Sequence, residues 1–179
     1  MNYIIVDLEA TCEENNRSFF NEIIEIGAVK INDKLNIVDK FSMFVRPKLN
    51  PLLTEFCRTL TSITQSDVDQ ADTFDKVLSK FLEWIGEDEY IICSWGFYDK
   101  TQFTRDCSLY GLDIGWIDRH ISLKHQHGEK IVGKKRGVGM KWALEKAGIE
   151  LVGTHHRGID DARNIAQLFL KYFDIWDFG

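Results

Sequence analysis

Proline is nearly absent from this chain: only Pro47 and Pro51 occur among 179 residues, and both fall in segment 46–64. Elsewhere nothing interrupts long regular elements. Cysteine is equally sparse. Cys12, Cys57, Cys93 and Cys107 are widely spread and form no CxxC pair, so they read as reduced thiols of a cytoplasmic protein rather than as a disulfide framework. No stretch of about 18 apolar residues occurs, and no charged opening followed by an apolar run begins the chain. It is therefore expected to be neither exported nor membrane-spanning. Positive charge is in deficit as well, with 22 Lys and Arg against 28 Asp and Glu, a net charge of −6. Taken as an average, that argues mildly against a nucleic-acid partner. A site that gathers carboxylates around cations would add acidity of its own, however, and phosphate contacts need only a local basic surface. Lys130, Lys134, Lys135, Arg136 and Lys141 fall within twelve residues and fit either such a surface or a solvated loop.

Apolar residues are plentiful: they make up 44% of the chain and include twelve Phe and five Trp, enough for one large core. A single domain over residues 1–179 is expected. Tyr3 to Glu9 is β-branched and short, which predicts a buried strand, and Glu22 to Asn32 and Leu35 to Val45 predict two more around a turn at Asp33 and Lys34. Residues 46–64 read as a loop with a short helix over 54–59. Phe74, Val77, Leu78, Phe81, Leu82 and Ile85 have helical spacing, with Thr73 placed to cap the start and Gly86 to stop the end. A short strand over Tyr90 to Ser94 and helices over Asp99–Tyr110, Met140–Ala147 and Asp160–Phe173 complete the pattern; residues 115–137 give no clear signal. Three strands followed by helices alternating with a further strand predict an α/β fold, a mixed sheet flanked by helices.

Three groups of residues carry chemistry. Asp7 and Glu9 are two apart near a strand end, so both project from one face, about 7 Å apart along the backbone. Paired carboxylates there need water, hydrogen bonds or a metal, although a strand end emerging into solvent would also tolerate them. Asp99 follows the strand over 90–94 at a helix start, where it suits the helix dipole or a site at the sheet's end. His155, His156, Asp160 and Asp161 surround the start of the last helix, where Gly158 is expected to turn the chain. A Gly137-Val-Gly139 pair follows no strand, lacks a third glycine and does not indicate a dinucleotide site.

Together these groups resemble a known superfamily. Asp7-Leu-Glu9-Ala-Thr, Asp99 in an aromatic Trp-Gly loop, and His156 five residues before Asp161 are similar to the three motifs of the DEDDh 3′-5′ exonucleases; the DEDDy form carries Tyr four residues before the last Asp, where this chain has Arg157. Val6-Asp-Leu-Glu-Ala-Thr-Cys12, Glu55 to Gln65 and Gly158 to Ile165 are similar to the Eri-type exoribonucleases and KapD-like proteins, with Ser62 standing where those relatives usually have glycine. The resemblance implies a ribonuclease-H-like fold and hydrolysis of phosphodiesters at the 3′ end of single-stranded RNA or DNA, RNA being favoured.

It also implies two Mg²⁺ ions, with Mn²⁺ as a substitute, held by Asp7, Glu9, Asp99 and Asp161. Asp7 would bridge both ions and His156 would act as general base. Phe56, Leu60, Ile63 and Tyr98 are expected to wall the pocket of the terminal nucleotide by stacking, and Leu8, Ala10 and Thr11 are counted with them. A proofreading-type DNA exonuclease and a non-catalytic nucleic-acid-binding regulator of the same fold are the alternatives. Five residues of the right kinds in the right order favour the enzyme. No protein partner is indicated by the sequence.

Overall fold

A run of aromatic and β-branched residues, Tyr3-Ile-Ile-Val, carries apolar side chains at both parities, and it forms the central strand of the sheet because both of its faces can be covered. In the computed structural model, which describes residues 1–16 and 18–179, this strand is β1 (Asn2–Ala10). β2 (Ile23–Ile31) and β3 (Ile37–Phe44) continue as an antiparallel meander on one side. β4 (Tyr90–Ser94) and β5 (His120–Ser122) add in parallel on the other, giving the order β3-β2-β1-β4-β5. The mixed sheet expected from the sequence is present, within a residue or two at each strand end. Asn32 closes the β2–β3 turn, its side-chain oxygen accepting from the Lys34 and Asn36 amides, both at 3.0 Å.

Helices cover both faces. Tyr3, Ile5, Val29, Ile31, Ile91 and Cys93 pack under α6 (Met140–Ala147) and α7 (Gly158–Lys171), chiefly against Leu144, Ala162, Ile165 and Phe169. Ile4, Val6, Leu8, Ile26 and Ala28 pack under α3 (Phe74–Ile85) and α4 (Tyr98–Tyr110), against Phe74, Val77, Phe81 and Phe103. The twelve-residue α3 would be marginal in isolation. Burial of Phe74, Val77, Leu78, Phe81 and Ile85, at about 1.5–3 kcal/mol each, decides its formation. A smaller cluster of Ile24, Leu53, Cys57, Ile63 and Val68 seats α1 (Glu55–Thr61) and α2 (Gln65–Asp69).

Several boundaries differ from expectation. α1 starts at Glu55, where Thr54 caps it by accepting from the Cys57 amide at 3.0 Å, and runs on to Thr61, where Ser62 ends it in a left-handed conformation at φ 59°. α2 was not anticipated; its sign in the sequence is the reciprocal cap between Thr64 and Asp67. Thr73 occupies the cap position of α3 but its side chain makes no capping bond. α7 begins at Gly158 rather than Asp160, and Phe173–Ile175 forms a separate 3₁₀ turn. Residues 115–137 contain a 3₁₀ turn at Gly115–Ile117, β5, α5 (Leu123–His127) and a π-helical turn at Gly128–Val132. Each is too short to show a period. No helix among the described residues is long and apolar enough to cross a membrane.

Strand parity now fixes the site. Asp7 and Glu9 share the face of Tyr3 and Ile5, which is the face that α7 covers.

Candidate active site

β4 pairs with β1 only as far as Ile5, so the edge of β1 beyond that point needs other partners. α4 supplies one: the Asp99 carboxylate, in its first turn, accepts the Leu8 amide at 3.1 Å. Asp99 is thereby held in the interior beside the strand that carries Asp7 and Glu9.

α7 reaches the same place from above. Gly27 on β2 and Gly158 at the helix start meet backbone to backbone; a Cβ on Gly27 would lie 2.0 Å from the Gly158 carbonyl carbon. Gly158 has no positive φ, so its value here is close approach rather than the turn expected of it. The left-handed residue is His156, at φ 64°. Glu25, directly across from Glu9 and fully buried, receives the Gly158 amide at 3.0 Å and the Arg157 Nε at 3.1 Å, tying β2 to the helix start.

The result is a cluster in which carboxylate oxygens of Asp7, Glu9 and Asp161 all lie within 4.8 Å of one another. Asp161 is turned into the cluster, and its carboxylate also accepts the His156 amide at 3.0 Å and contacts the His155 Nδ1 at 3.0 Å. Asp160 points elsewhere. It accepts the Thr154 amide and pairs with Arg163, each at 2.9 Å. The rings of His155 and His156 stack with centroids 4.0 Å apart, and ring nitrogens of both can come within 4.8 Å of Asp161.

Crowding and burial set the electrostatics. Burial, then Asp99, Glu9, Asp161 and Glu25, raise the Asp7 carboxyl well above the usual carboxylate range. Burial and then Asp161 push Glu9 up to about 8, and burial takes Asp99 to about 6 against the hydrogen bond from Leu8. Burial and the neighbouring His155 lower His156 below its ordinary value, opposed by Asp161. Asp7, Glu9 and Asp99 thus resist ionisation, and a cation among them would relieve that resistance. The donors are hard carboxylate oxygens, the set that suits a divalent cation of the Mg²⁺ or Mn²⁺ kind.

These groups line a cavity of ≈ 390 Å³. Of the residues expected to contact substrate, Leu8, Ala10, Leu60 and Tyr98 line it. Three do not. Ile63 is fully buried in the cluster under α1, where its side chain is core, and Thr11 is buried with its hydroxyl accepting the Glu22 amide at 2.9 Å. Phe56 lies exposed on α1 outside the cavity wall. Cys12, Asn21, Trp95, Gly96, Lys124, Met140 and His155 also line the cavity and were not foreseen in that role. Trp95 and Gly96 directly follow β4 and belong to the Trp-Gly loop of the second motif, the signals that could have found them; Lys124 lies in the segment without a period.

The chain is similar to known proteins over most of its length. Residues 4–169 match the RNase T family model, described as exonuclease. The rat protein named 3′-5′ exoribonuclease 1 is 37% identical over 177 residues, covering 93% of this chain and 51% of its own. The probable 3′-5′ exonuclease KapD of Bacillus subtilis (strain 168) is 33% identical over 171 residues, covering 93% of this chain and 82% of its own. Among solved structures, the nuclease domain of 3′hExo, a DEDDh family member bound to rAMP, superposes with a TM-score of 0.90 at 34% identity, over 97% of this chain and 92% of that one. The chain spans about half the length of the rat relative it matches.

Proposed function

Since the chain belongs to the RNase T exonuclease family, in its DEDDh group, we propose that residues 1–179 act as one catalytic domain that hydrolyses single-stranded nucleic acid from its 3′ end. RNA is the preferred substrate in this reading, because the rat relative is named an exoribonuclease. The observation that carries it is the meeting of Asp7, Glu9 and Asp161 within 4.8 Å in a cavity that His156 also lines.

In this reading Asp7, Glu9 and Asp161, with Asp99 beside them, hold two Mg²⁺ ions, for which Mn²⁺ substitutes. Bound there, such ions neutralise charge on the phosphate and acidify a water molecule. The chain's own groups do the rest. Asp99 fixes the end of β1 through the Leu8 amide, so that Asp7 and Glu9 keep their spacing. Asp161 fixes the 155–157 loop through the His156 amide. His156, kept neutral near pH 7 by burial and by His155, accepts the proton of the attacking water. Leu8, Ala10, Leu60 and Tyr98 offer apolar and aromatic faces that hold the terminal nucleotide without reading its base. Free thiols at all four cysteines suit a reducing compartment, which makes the cytoplasm the proposed location.

The test is incubation of purified protein with single-stranded RNA and DNA, each with a free or a blocked 3′ end, in EDTA, Mg²⁺ or Mn²⁺. Cation-dependent shortening of free-ended RNA, faster than DNA, is the expected result. Cleavage insensitive to the 3′ block would contradict the exonuclease assignment.

A further inference from the structure

Among the described residues, one Lys or Arg lines the cavity among its acids: Lys124, on α5. Its backbone is built into the cavity wall, the Lys124 amide donating to the Trp95 carbonyl at 2.7 Å. The basic loop that follows is pinned against it. The Lys134 amide donates to the Gly128 carbonyl at 2.8 Å, and the Trp95 indole donates to the Val138 carbonyl at 2.9 Å. Gly137 presses so closely on Lys124 that a Cβ would stand 2.3 Å from the lysine Cγ and 2.5 Å from its carbonyl oxygen. Gly128 is equally tight, with a Cβ there lying 2.8 Å from the Gly137 Cα. Met140, just beyond the loop, lines the cavity again. The loop therefore leaves and rejoins the cavity rim, and the π-helical turn at Gly128–Val132 shapes its base, a distortion common at functional sites.

Lys134, Lys135 and Arg136 are exposed on this loop, and Lys141 is exposed just after it. Among the described residues none of these four, nor Lys124, is in an ion pair. Other cations, such as Lys34, Lys100 and Lys146, are also outside the ion pairs, but only at Lys134-Lys135-Arg136 do three stand consecutively in the chain. In a chain of net charge −6, uncommitted positive charge thus stands at the rim of the cavity. A polyanion is drawn to such a place even though the chain as a whole is acidic.

We propose that Lys124 and the loop Lys134-Lys135-Arg136 form a phosphate track, along which the nucleic-acid strand upstream of the 3′ terminal nucleotide leaves the cavity. The proposal rests on the nuclease reading above and adds the path of the substrate. Contact is with phosphates, so the track is indifferent to base sequence and sensitive to salt.

The experiment measures fluorescence anisotropy of a 5′-labelled single strand of about twenty nucleotides at several salt concentrations, with Ca²⁺ in place of Mg²⁺. Lys134→Glu/Lys135→Glu/Arg136→Glu should weaken binding about tenfold or more, and should flatten the salt slope by about 2, from three contacts at roughly 0.7 each. The Gln triple variant, which loses the same three contacts without adding repulsion, should flatten the slope by about the same amount and weaken binding by less. Lys34→Glu/Lys40→Glu, on the β2–β3 side of the sheet, should bind as the wild type does, and the penalty of the loop variants should shrink as the strand is shortened towards a trinucleotide. Wild-type affinity and salt slope in the Glu triple variant would overturn the track. A wild type that binds the strand through this loop yet cleaves no 3′ end in Mg²⁺ or Mn²⁺ would overturn the nuclease reading and leave the track standing.

Discussion

Gly27 of β2 and Gly158 of α7 are in backbone contact, and this crossing sets the distance between Asp161 on the helix and Asp7 on the neighbouring strand: a Cβ on Gly158 would lie 3.0 Å from the Asp7 carbonyl oxygen. Gly27→Ala places its methyl 2.0 Å from the Gly158 carbonyl carbon, and backbone cannot swing aside as a side-chain tip can. The helix start must lift. Overpacking of this kind costs about 1–3 kcal/mol or more. Urea unfolding should show a loss at the upper end of that range, and 3′-end cleavage should fall far more than stability does. An alanine variant with wild-type turnover would show that the crossing does not set the site.

The metal-free protein should lose stability as pH rises from about 4.5 to 8. Glu9 has a folded value of about 8 against an ordinary 4.5, and Asp99 about 6 against 3.8, so the folded state holds protons that the unfolded state has released. More protons bound when folded means that stability falls with rising pH across that window. Melting temperatures in EDTA should therefore decline from pH 5 to pH 8, and a divalent cation should restore more at pH 8 than at pH 5. A melting temperature that rises with pH in EDTA would show that the cluster is not under like-charge strain.

His156→Ala should lower kcat by about 10²–10⁴, the usual contribution of a general base, while Mg²⁺ dependence stays near wild type. His155→Ala should cost less, because its ring contacts Asp161 and acts by positioning it. In the wild type, the rate should rise with pH with a midpoint below the ordinary histidine value, since burial and His155 lower the His156 value and only the neutral ring accepts a proton. Loss of metal affinity in His156→Ala would make it a ligand instead.

Ser62→Gly should stabilise the fold by about 1 kcal/mol, because Ser62 ends α1 at φ 59°, ψ 13°, a left-handed conformation that costs a residue with a Cβ roughly that much. Unchanged or lower stability on denaturant unfolding would contradict this.

The sequence carried the sheet meander, α3 and the placement of Asp7, Glu9, Asp99 and Asp161, since each depends on local period or on a position at an element end. That Asp161 rather than Asp160 belongs to the site was implied by the resemblance, through its offset from His156, and the structure turns Asp161 into the cluster and Asp160 towards Arg163. What stayed hidden depends on contacts distant in the chain. β5 has three residues and exists by pairing with β4. Gly27 and Gly158 are 131 positions apart, as read from their numbers, and no local pattern announces their contact. Ile63 looked like a pocket wall because an apolar residue near a motif does not reveal which way it faces; it faces the core.

The central claim is that the carboxylates of β1 and α7 hold the cations that drive hydrolysis. The most direct measurement compares single-turnover shortening of a 3′-OH single-stranded RNA by wild type, Asp7→Asn, Asp161→Asn and Asp160→Asn as Mg²⁺ is titrated. The expected result is no cleavage by wild type without a divalent cation, loss of about 10² or more in Asp7→Asn and Asp161→Asn with the fold intact, and near-normal cleavage by Asp160→Asn. Full Mg²⁺-dependent activity in Asp7→Asn, or inactivation by Asp160→Asn with Asp161→Asn unharmed, would contradict it.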